Sequence, residues 1–573
     1  MSRHLLAFIT IGLAAIAAAG QTPTPTPYDA DAQGRPAEAV PGVQQVAPDY
    51  RSDTRVLPDL GRVGVDQANV RPLTLAETIE MALENNKDIS ITRRSITSAE
   101  FDLRAARGGF QPRLTGQAFY DRVTNPNVSI FSTNSKATQA TVVGNAAITG
   151  FVPRYGTVIT GGVNNSRITT DNPITILSPQ YNASLNFGIT QPLLRGRKID
   201  AGRRAIEIAK VNLELTDTQF RQRSIEVVTA VEKAYWDLVF ALRNLQVQRD
   251  SVRDAKDQLE HNRRLVEEGQ LAPIDIVAAE TQVANFEQAV YDALNAVNIA
   301  ENVVKNLIAP RRGDRLWGQA ILPVESVEKA NPDPTLSDAM DLAIKNRPEL
   351  DLNSAQQDIN RIDQRYYREQ SRPQVDLTAS YTSAGVGGSQ NPGFTSPFPL
   401  PCTTNPSSPA CAQQQANLAL LTGNPYSGVF ANRYPEYKVG VTFNVPLFGD
   451  KTASAQLGRA KVEAEKLLDQ REQIEQAIQV EVRNALQAVR TGEARLRAAA
   501  IARENSLRQY ESERRKLDEG QSDVYKVLER QTALAIARSN ELRARTELNK
   551  AIAELQRATG NTLAANNIRA LPK

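Results

Sequence analysis

Histidine, cysteine and tryptophan are scarce in this chain of 573 residues, which has two of each. Zinc clusters, haems and iron–sulfur centres take their ligands mainly from histidine and cysteine, so the composition argues against a resident metal centre. No constellation of residues suggests a catalytic nucleophile. We therefore predict that the chain is not an enzyme and needs no cofactor. The 67 basic residues nearly balance the 64 acidic ones, so the charge predicts no nucleic-acid partner.

Long apolar runs are missing beyond the N-terminus, although a membrane-spanning helix needs about 18–20 apolar residues. The chain opens with Arg3 and His4, which precede a short and mostly apolar run. This pattern predicts a secretory signal peptide over residues 1–20, with an uncleaved membrane anchor as the alternative. A secreted protein enters an oxidising compartment, so Cys402 and Cys411 are a candidate disulfide; two unpaired loop thiols are the alternative.

Residues 21–72 are rich in proline and in small polar residues. Such a segment has little apolar surface to bury, so we predict a disordered or extended lead-in. The sequence suggests no role for it.

The remainder of the chain repeats itself. Residues 74–89 resemble residues 335–350, and the Glu-Gly-Gln at 268–270 returns at 519–521. Because the matching segments keep their order, we predict an internal two-fold duplication. The expected divisions are a first repeat at 73–310, a linker at 311–334, a second repeat at 335–560 and a C-terminal tail at 561–573.

Alternating apolar and polar residues predict β-strands in both repeats, most clearly at residues 181–190 and 437–445. A run of about ten residues suits a tilted membrane strand with one face in lipid, although a soluble β-sandwich strand has the same alternation. A poorer pattern covers residues 141–151 and 155–168, which leaves four or six strands per chain. Either number is below the minimum of about eight for a membrane barrel, so several chains would have to share one.

A very long helix is predicted between residues 199 and 267, where proline is absent. At about 1.5 Å per residue it would reach about 100 Å. Val231, Leu238 and Leu245 begin a row with a spacing of seven residues, which is typical of coiled-coil packing. The predicted fold class is therefore mainly α with membrane β, in which long coiled-coil helices and a shared β-barrel form one hollow cylinder.

These features resemble the TolC-type outer-membrane efflux proteins. The resemblance covers about residues 73–560 and rests on the duplicated openings at 74–89 and 335–350, the strand ends Gln-Pro-Leu-Leu at 191–194 and Val-Pro-Leu-Phe at 445–448, and the helix breaks at 268–277 and 519–529. It implies a homotrimer with a joint β-barrel in the lipid of the bacterial outer membrane and a periplasmic α-helical barrel. It also implies docking to a periplasmic adaptor protein and to an inner-membrane pump of the RND or ABC type, for multidrug efflux or type I secretion.

The resemblance also marks the two helix breaks as periplasmic tips, where the pore closes and the adaptor docks. Gly269 and Gly520 lie at the breaks, and a glycine there permits the sharp backbone reversal that any helical hairpin needs. Asp275 matches a family acid that takes part in contacts between helices at the tip. We expect these three residues at or beside a gate.

The second break departs from the family pattern. The family usually places two acids one helical turn apart facing the bore, and the matching positions here are Lys526 and Glu529. A trimer would then present a ring of Glu529 with Lys526 close enough to pair with it, and Asp523 is the alternative source of the missing acid. Ordinary surface pairing of side chains three positions apart on a helix is the interpretation without a gating role.

Two other protein classes have to be weighed. A secreted coiled-coil adhesin or structural fibre would explain the heptads and the signal peptide, but not the paired strands that end in proline. A periplasmic adaptor also has helical hairpins, yet it needs further β-rich domains that the sequence does not suggest. For an efflux channel, residues 385–435 are expected to form a loop outside the cell. The exported substrate is left open.

Overall fold

The computed structural model describes residues 61–126, 135–324, 334–447 and 449–568. The predicted signal peptide, most of the lead-in and the end of the C-terminal tail lie outside the described residues. The described chain combines one large antiparallel sheet with two long helical hairpins. None of the described helices has both the length and the apolar character that crossing a membrane requires.

Six strands of each chain form one antiparallel sheet. The described strands are β1 (Asp66–Leu73), β2 (Arg113–Pro126), β3 (Lys136–Val152), β4 (Thr157–Thr170), β5 (Leu177–Pro192), β6 (Gln319–Pro323), β7 (Gln374–Gln390) and β8 (Tyr434–Asn444). The large sheet has the order β2-β3-β4-β5-β7-β8, whereas β1 and β6 form a separate parallel pair. The open choice between four and six strands is therefore decided as six, and β2 and β8 are the two edges.

The poorly patterned segment near residues 141–168 is a regular hairpin of β3 and β4, paired from Gln139 to Val152. Its weak alternation has a simple cause. Gly144 and Gly161 occupy positions on the same face as Ile148 and Ile159, so small residues interrupt the apolar row without interrupting the backbone pairing.

Helices make up most of the remainder. They are α1 (Leu75–Asn85), α2 (Lys87–Gly108), α3 (Ala201–Glu267), α4 (Ile274–Ile308), α5 (Leu336–Asn346), α6 (Pro348–Gln370), α7 (Pro401–Thr404), α8 (Pro409–Leu421), α9 (Pro425–Phe430), α10 (Lys451–Asp518), α11 (Val524–Ala558) and α12 (Thr562–Ala565). With 67 and 68 residues, α3 and α10 each extend about 100 Å. The predicted long helix is confirmed from Ala201 to Glu267.

The long helices are paired by their apolar rows. α3 packs along α4, and α10 along α11. Val231, Leu238 and Leu245 of the heptad row are buried, and the aromatic pair Tyr235 and Trp236 fills the largest apolar cluster beside them. The short helices α1 and α2 pack on α3, so this cluster joins the first hairpin to the chain that precedes it.

The two Thr-Leu openings are helix N-termini, as the sequence indicates. Thr74 forms a capping box with Glu77, whose carboxylate accepts the Thr74 backbone N–H at 2.9 Å. Thr335 caps α5 through the backbone N–H of Asp338 at 3.2 Å. Each cap fixes the residue at which a helix begins.

A buried ion cluster holds the β1–β6 pair against α4. The fully buried Glu301 accepts the Ile321 backbone N–H at 2.7 Å and lies 3.1 Å from the Arg62 guanidinium. Lys305, also fully buried, lies 3.5 Å from Glu301 and donates to the Trp317 carbonyl at 3.0 Å. Burial lowers the pKa of Lys305, and the Glu301 charge opposes that shift.

The described end of the lead-in is extended, which is one of the two predicted states, and it has a partner. Asp66–Leu73 pairs in parallel with Gln319–Pro323, inside the predicted linker. The pairing joins residues that are far apart in the chain, and no local pattern of the sequence reveals such a contact.

The second hairpin is held by a buried arginine. Arg347, 5% exposed, makes two hydrogen bonds to Glu349, one of 2.8 Å to Glu481 and one of 3.3 Å to the Ala558 carbonyl at the end of α11. In the first half, Asn86 donates at 3.2 Å to the Leu307 carbonyl near the end of α4. Different side chains thus tie the short helices to the long hairpin at similar places.

The expected loop at residues 385–435 is more ordered than the sequence indicates. β7 continues to Gln390, and α7, α8 and α9 lie between β7 and β8. Cys402 and Cys411 are joined by a disulfide that links α7 to α8. We call residues 391–433 the flap.

Loss of the Glu301 charge is expected to destabilise the fold strongly. Glu301→Gln leaves Arg62 and Lys305 as buried cations without an acid, which costs about 3–5 kcal/mol. Glu280→Gln is the matched control, because the Glu280–Arg263 pair is half exposed and contributes at most about 1 kcal/mol. Denaturant unfolding of the detergent-solubilised protein measures both, and equal midpoints for the two variants would contradict the assigned role of Glu301.

Candidate functional site

The strand register gives the large sheet two chemically different faces. One row across all six strands consists of Leu114, Ile148, Gly161, Phe187, Tyr381 and Tyr437. We call this side the apolar face. Its other members include Ile159, Ile189, Leu377, Val439, Val441 and Phe443, all exposed large hydrophobic residues.

The opposite side, the polar face, carries amides and hydroxyls. Gln117, Asn145, Asn164 and Ser184 form one register row across four strands. Side chains hydrogen bond along this face: Asn164 donates to Asn186 at 3.4 Å, and Ser184 donates to the same Asn186 oxygen at 3.3 Å. Such a surface favours water, so the sheet separates a lipid-compatible side from a water-compatible side.

Both glycines at the helix breaks have left-handed backbone conformations. φ is +78° at Gly269 and +71° at Gly520. At the first break, the backbone N–H of Gly269 donates to the Val266 carbonyl and that of Gln270 to the Leu265 carbonyl. At the second break, the N–H of Gly520 donates to Leu517 and that of Gln521 to Lys516 in the same way. This is the Schellman arrangement, in which a glycine ends a helix and satisfies its last carbonyls.

The structure gives Asp275 and Asp523 local roles. The Asp275 carboxylate accepts the Ala272 backbone N–H at 3.2 Å and so closes the turn before α4. Asp523 is the N-cap of α11 and accepts the Lys526 backbone N–H at 2.9 Å. That bond and the contact with the Lys526 side chain lower the pKa of Asp523.

Within the single chain Lys526 pairs with Asp523, three positions before it; its pairing with Glu529 in a trimer stays a prediction. Its ammonium lies 2.9 Å from the Asp523 carboxylate, and this bond raises the pKa of Lys526. The cap places Asp523 within reach of Lys526, whereas Glu529 is exposed and no residue of the described chain forms an ion pair with it. At the position where the family usually has the first of its two acids, this chain therefore has Lys526, which forms an ion pair with Asp523.

A contact that sequence reasoning missed joins the two hairpins near their tips. The His261 Nε2 atom of α3 lies 2.8 Å from the Asp518 Oδ1 atom at the end of α10. The two residues are far apart in the sequence, and His261 stands on a charged helix that indicates only a solvated side chain. Among the described residues, no group of histidine, cysteine and acidic side chains is arranged to hold a metal ion.

A buried polar layer lies just above the tips and was also missed. Ala255 of α3 and Ala535 of α11 belong to one apolar cluster, and Val524 and Leu528 of α11 belong to a second cluster at the tip. Between the two clusters, within about one helical turn of each, lie three buried amides: Gln258, Asn262 and Gln531.

The amides of this layer are incompletely hydrogen bonded. Gln258 donates to Asn262 at 2.8 Å, but the Gln258 oxygen, the Asn262 nitrogen and both polar atoms of Gln531 have no hydrogen-bond partner in the described chain. An unpartnered buried polar atom costs about 1–3 kcal/mol. This incompletely bonded layer lies close to the predicted gate.

Comparison with known proteins decides the family. The sequence model of the outer membrane efflux protein family matches residues 143–309 and 339–561. The chain belongs to this family. Family membership confirms the predicted function as an outer-membrane exit duct for efflux and the location in the bacterial outer membrane, and it does not favour the adhesin alternative.

Solved structures show that this efflux protein has the fold of outer-membrane channels. The Campylobacter jejuni CmeC outer membrane channel superposes with a TM-score of 0.59 at 15% identity, over 85% of this chain and 86% of that one. A membrane protein from Pseudomonas aeruginosa gives 0.58 at 17% identity, over 85% and 90%. The open state of the Neisseria gonorrhoeae MtrE outer membrane channel gives 0.55 at 15% identity, over 85% and 89%. No curated protein sequence matches significantly.

Filling the polar layer of this efflux protein with an apolar side chain is expected to stabilise it. Gln531→Leu removes two unpartnered buried atoms and should raise the free energy of unfolding by about 1–3 kcal/mol. Gln521→Leu, at an exposed position of the tip, is the control and should not raise it. Thermal unfolding in detergent measures both; a destabilised Gln531→Leu would show that the layer has partners that the isolated chain lacks.

Proposed function

We propose that three copies of this chain assemble into one duct, in which β8 of each subunit pairs with β2 of the next. The two edges of a single sheet leave backbone groups unpaired, and in lipid each such group costs several kcal/mol. Three six-stranded sheets closed in this way supply eighteen strands and leave no edge.

One observation carries this proposal: the register places a mostly apolar row, from Leu114 on β2 to Tyr437 on β8, on the same side of all six strands, opposite the polar face. If the apolar face contacts outer-membrane lipid, the polar row of amides and hydroxyls lines a water-filled bore. A soluble sandwich would instead bury its apolar face against a second layer. Here Phe187, Val439 and Phe443 are half or more exposed in the single chain.

The long helices continue the bore into the periplasm. In this proposal α3–α4 and α10–α11 stand side by side around it and reach about 100 Å from the membrane. Their similar lengths, 67 and 35 residues against 68 and 35, support the duplication into repeats at 73–310 and 335–560, joined by the linker 311–334. The similar carbonyl contacts of Asn86 and Arg347 also support it.

The partners proposed for this duct are a periplasmic adaptor protein and an inner-membrane pump of the RND or ABC type. The adaptor would dock at the tips formed by Gly269 and Gly520, where the helices turn and the chain is exposed. The duct itself conducts passively, and the pump supplies the energy. Both multidrug efflux and type I secretion use a route of this kind.

Trimer formation and conductance test the proposal together. The purified protein should require detergent, have the mass of three chains in native mass spectrometry, and give discrete conductance steps in planar bilayers. A stable monomer in aqueous buffer without detergent would refute the duct.

The gate is proposed to lie at the tips, with Asp275 and Glu529 as the acids that hold it closed. Asp275→Asn weakens the turn before α4, and Glu529→Gln removes an exposed charge that has no ion-pair partner among the described residues and could contact a neighbouring subunit. Each variant is expected to increase the closed-state conductance of the purified channel in planar bilayers.

Glu463→Gln is the control for both gate variants. Glu463 forms a comparably exposed pair with Lys466 in the part of α10 that is remote from the tip. The conductance of the Glu463→Gln channel should match that of the unmodified channel. Unchanged conductance in Asp275→Asn and Glu529→Gln would remove both acids from the gate without refuting the duct.

A further inference from the structure

The flap does not stand above the sheet but folds back onto its apolar face. Ser383 donates to the Val429 carbonyl at 2.6 Å, and the Tyr381 hydroxyl lies 2.6 Å from the Asn432 side-chain oxygen. Tyr426 of α9 reaches across β5 and donates to Asn165 of β4 at 2.8 Å. All three sheet residues share the face that carries Phe187 and Leu377.

Two glycines of β7 make this contact possible. A Cβ atom on Gly385 would collide with the carbonyl oxygen of Pro425, and one on Gly387 with the carbonyl oxygen of Gly423. The backbone of the flap therefore lies directly on the sheet, at a place where any larger residue would lift it away.

The start of the flap is held elsewhere. The Asn391 side chain donates to the carbonyls of Asn172 and Thr175 at 3.0 and 2.9 Å, so it adjoins the connection from β4 to β5. This contact lies at the end of the sheet that is farthest from the long helices, and Phe398, seven residues further along the flap, is 65% exposed. The flap thus runs from the strand ends down to the level of Tyr381.

Around α9, the border of the apolar face has the composition of a membrane interface. Tyr381 and Tyr437 form its last row on β7 and β8, with ring centroids 5.1 Å apart. Arg122 of β2 and Arg167 of β4 lie on the same face beyond this border, and Arg167 is stacked over the Tyr181 ring at 5.9 Å. Aromatic rings and cations are enriched where strands meet lipid headgroups.

α9 presents its own aromatic residues at this level. Phe430 is 83% exposed and Tyr426 is 47% exposed, although both belong to a short helix packed on the sheet. We propose that α9 is an interfacial anchor whose Phe430 and Tyr426 rings insert among the headgroups of the outer leaflet. The inference rests on the proposed function, because it requires the apolar face to contact lipid.

Lipid is the occupant that the surroundings favour. The exposed rings continue the apolar face, which in the duct already contacts lipid, and the neighbouring arginines match phosphate-bearing headgroups. A neighbouring subunit is the other candidate, and the experiment separates the two.

A single label at position 430 tests the anchor. Because Cys402 and Cys411 form a disulfide, Phe430→Cys supplies one free thiol for a polarity-sensitive fluorophore. In nanodiscs that contain a lipid with a nitroxide on its headgroup, this label should lose most of its emission, and aqueous iodide should quench it weakly. The same label on Phe398→Cys should be quenched strongly by aqueous iodide and only weakly by the nitroxide lipid.

Failure of the anchor and failure of the duct give different results. A label on Val441→Cys, two register rows from the Tyr381–Tyr437 border on the apolar face, reports whether the sheet is in lipid at all. If that label is protected from iodide while the label at 430 is quenched freely by iodide, the anchor is refuted and the duct stands. If the label at 430 is protected from iodide but not quenched by the nitroxide lipid, a neighbouring subunit covers α9 and the anchor is again refuted.

Gly385→Ala provides an independent test of how the anchor is held. The added Cβ should displace α9, so that the label at 430 loses its quenching by the nitroxide lipid. Gly144→Ala is the matched control on the same face of β3, because a Cβ there meets nothing within 4 Å, and it should leave the quenching unchanged. Full quenching in Gly385→Ala would contradict the assigned packing of the flap.

Discussion

The pairing of backbone groups in the six-stranded sheet is the constraint on which the remaining structure depends. The register brings one row of mostly apolar side chains, from Leu114 on β2 to Tyr437 on β8, to the same face of all six strands, and a shift of one residue in any strand would move its members to the other face. A sheet with one apolar face and two unpaired edges is not a finished structure in either water or lipid. The proposed trimer satisfies both requirements at once, since it covers the apolar face with lipid and pairs the edges.

Polar contacts hold the helices where apolar packing alone would leave their position open. Asn353 and Asn360 of α6 donate to the Leu467 and Ala460 carbonyls of α10 at 3.1 and 2.9 Å. The two donors are seven residues apart on α6, and the two acceptors are seven residues apart on α10. Both bonds can therefore form together in only one alignment of the two helices. Arg347 and Glu301 act in the same way, because a buried charge tolerates little displacement of its partner. These contacts secure the part of each hairpin nearest the sheet.

The tips are built differently. Gln258, Asn262 and Gln531 are buried with polar atoms that have no hydrogen-bond partner in the part of the chain that the structure describes, and the Lys526–Asp523 pair is local to one helix turn. His261 and Asp518 provide a direct polar link between the hairpins at this level. In the proposed duct this polar level would lie at the periplasmic end, next to the predicted gate.

The sequence alone determined the class of the protein, because its patterns are local. Alternation within 181–190, the heptad that includes Val231 and Leu238, and the glycines at 269 and 520 specify a strand, a long coiled-coil helix and two hairpin turns, each within a few residues. The partners of individual side chains depend on residues that are distant in the chain. Only the tertiary structure therefore decided that β1 pairs with β6, that Lys526 is held by the cap of its own helix, and that the flap lies on the apolar face, where the absence of side chains at Gly385 and Gly387 lets two backbones touch.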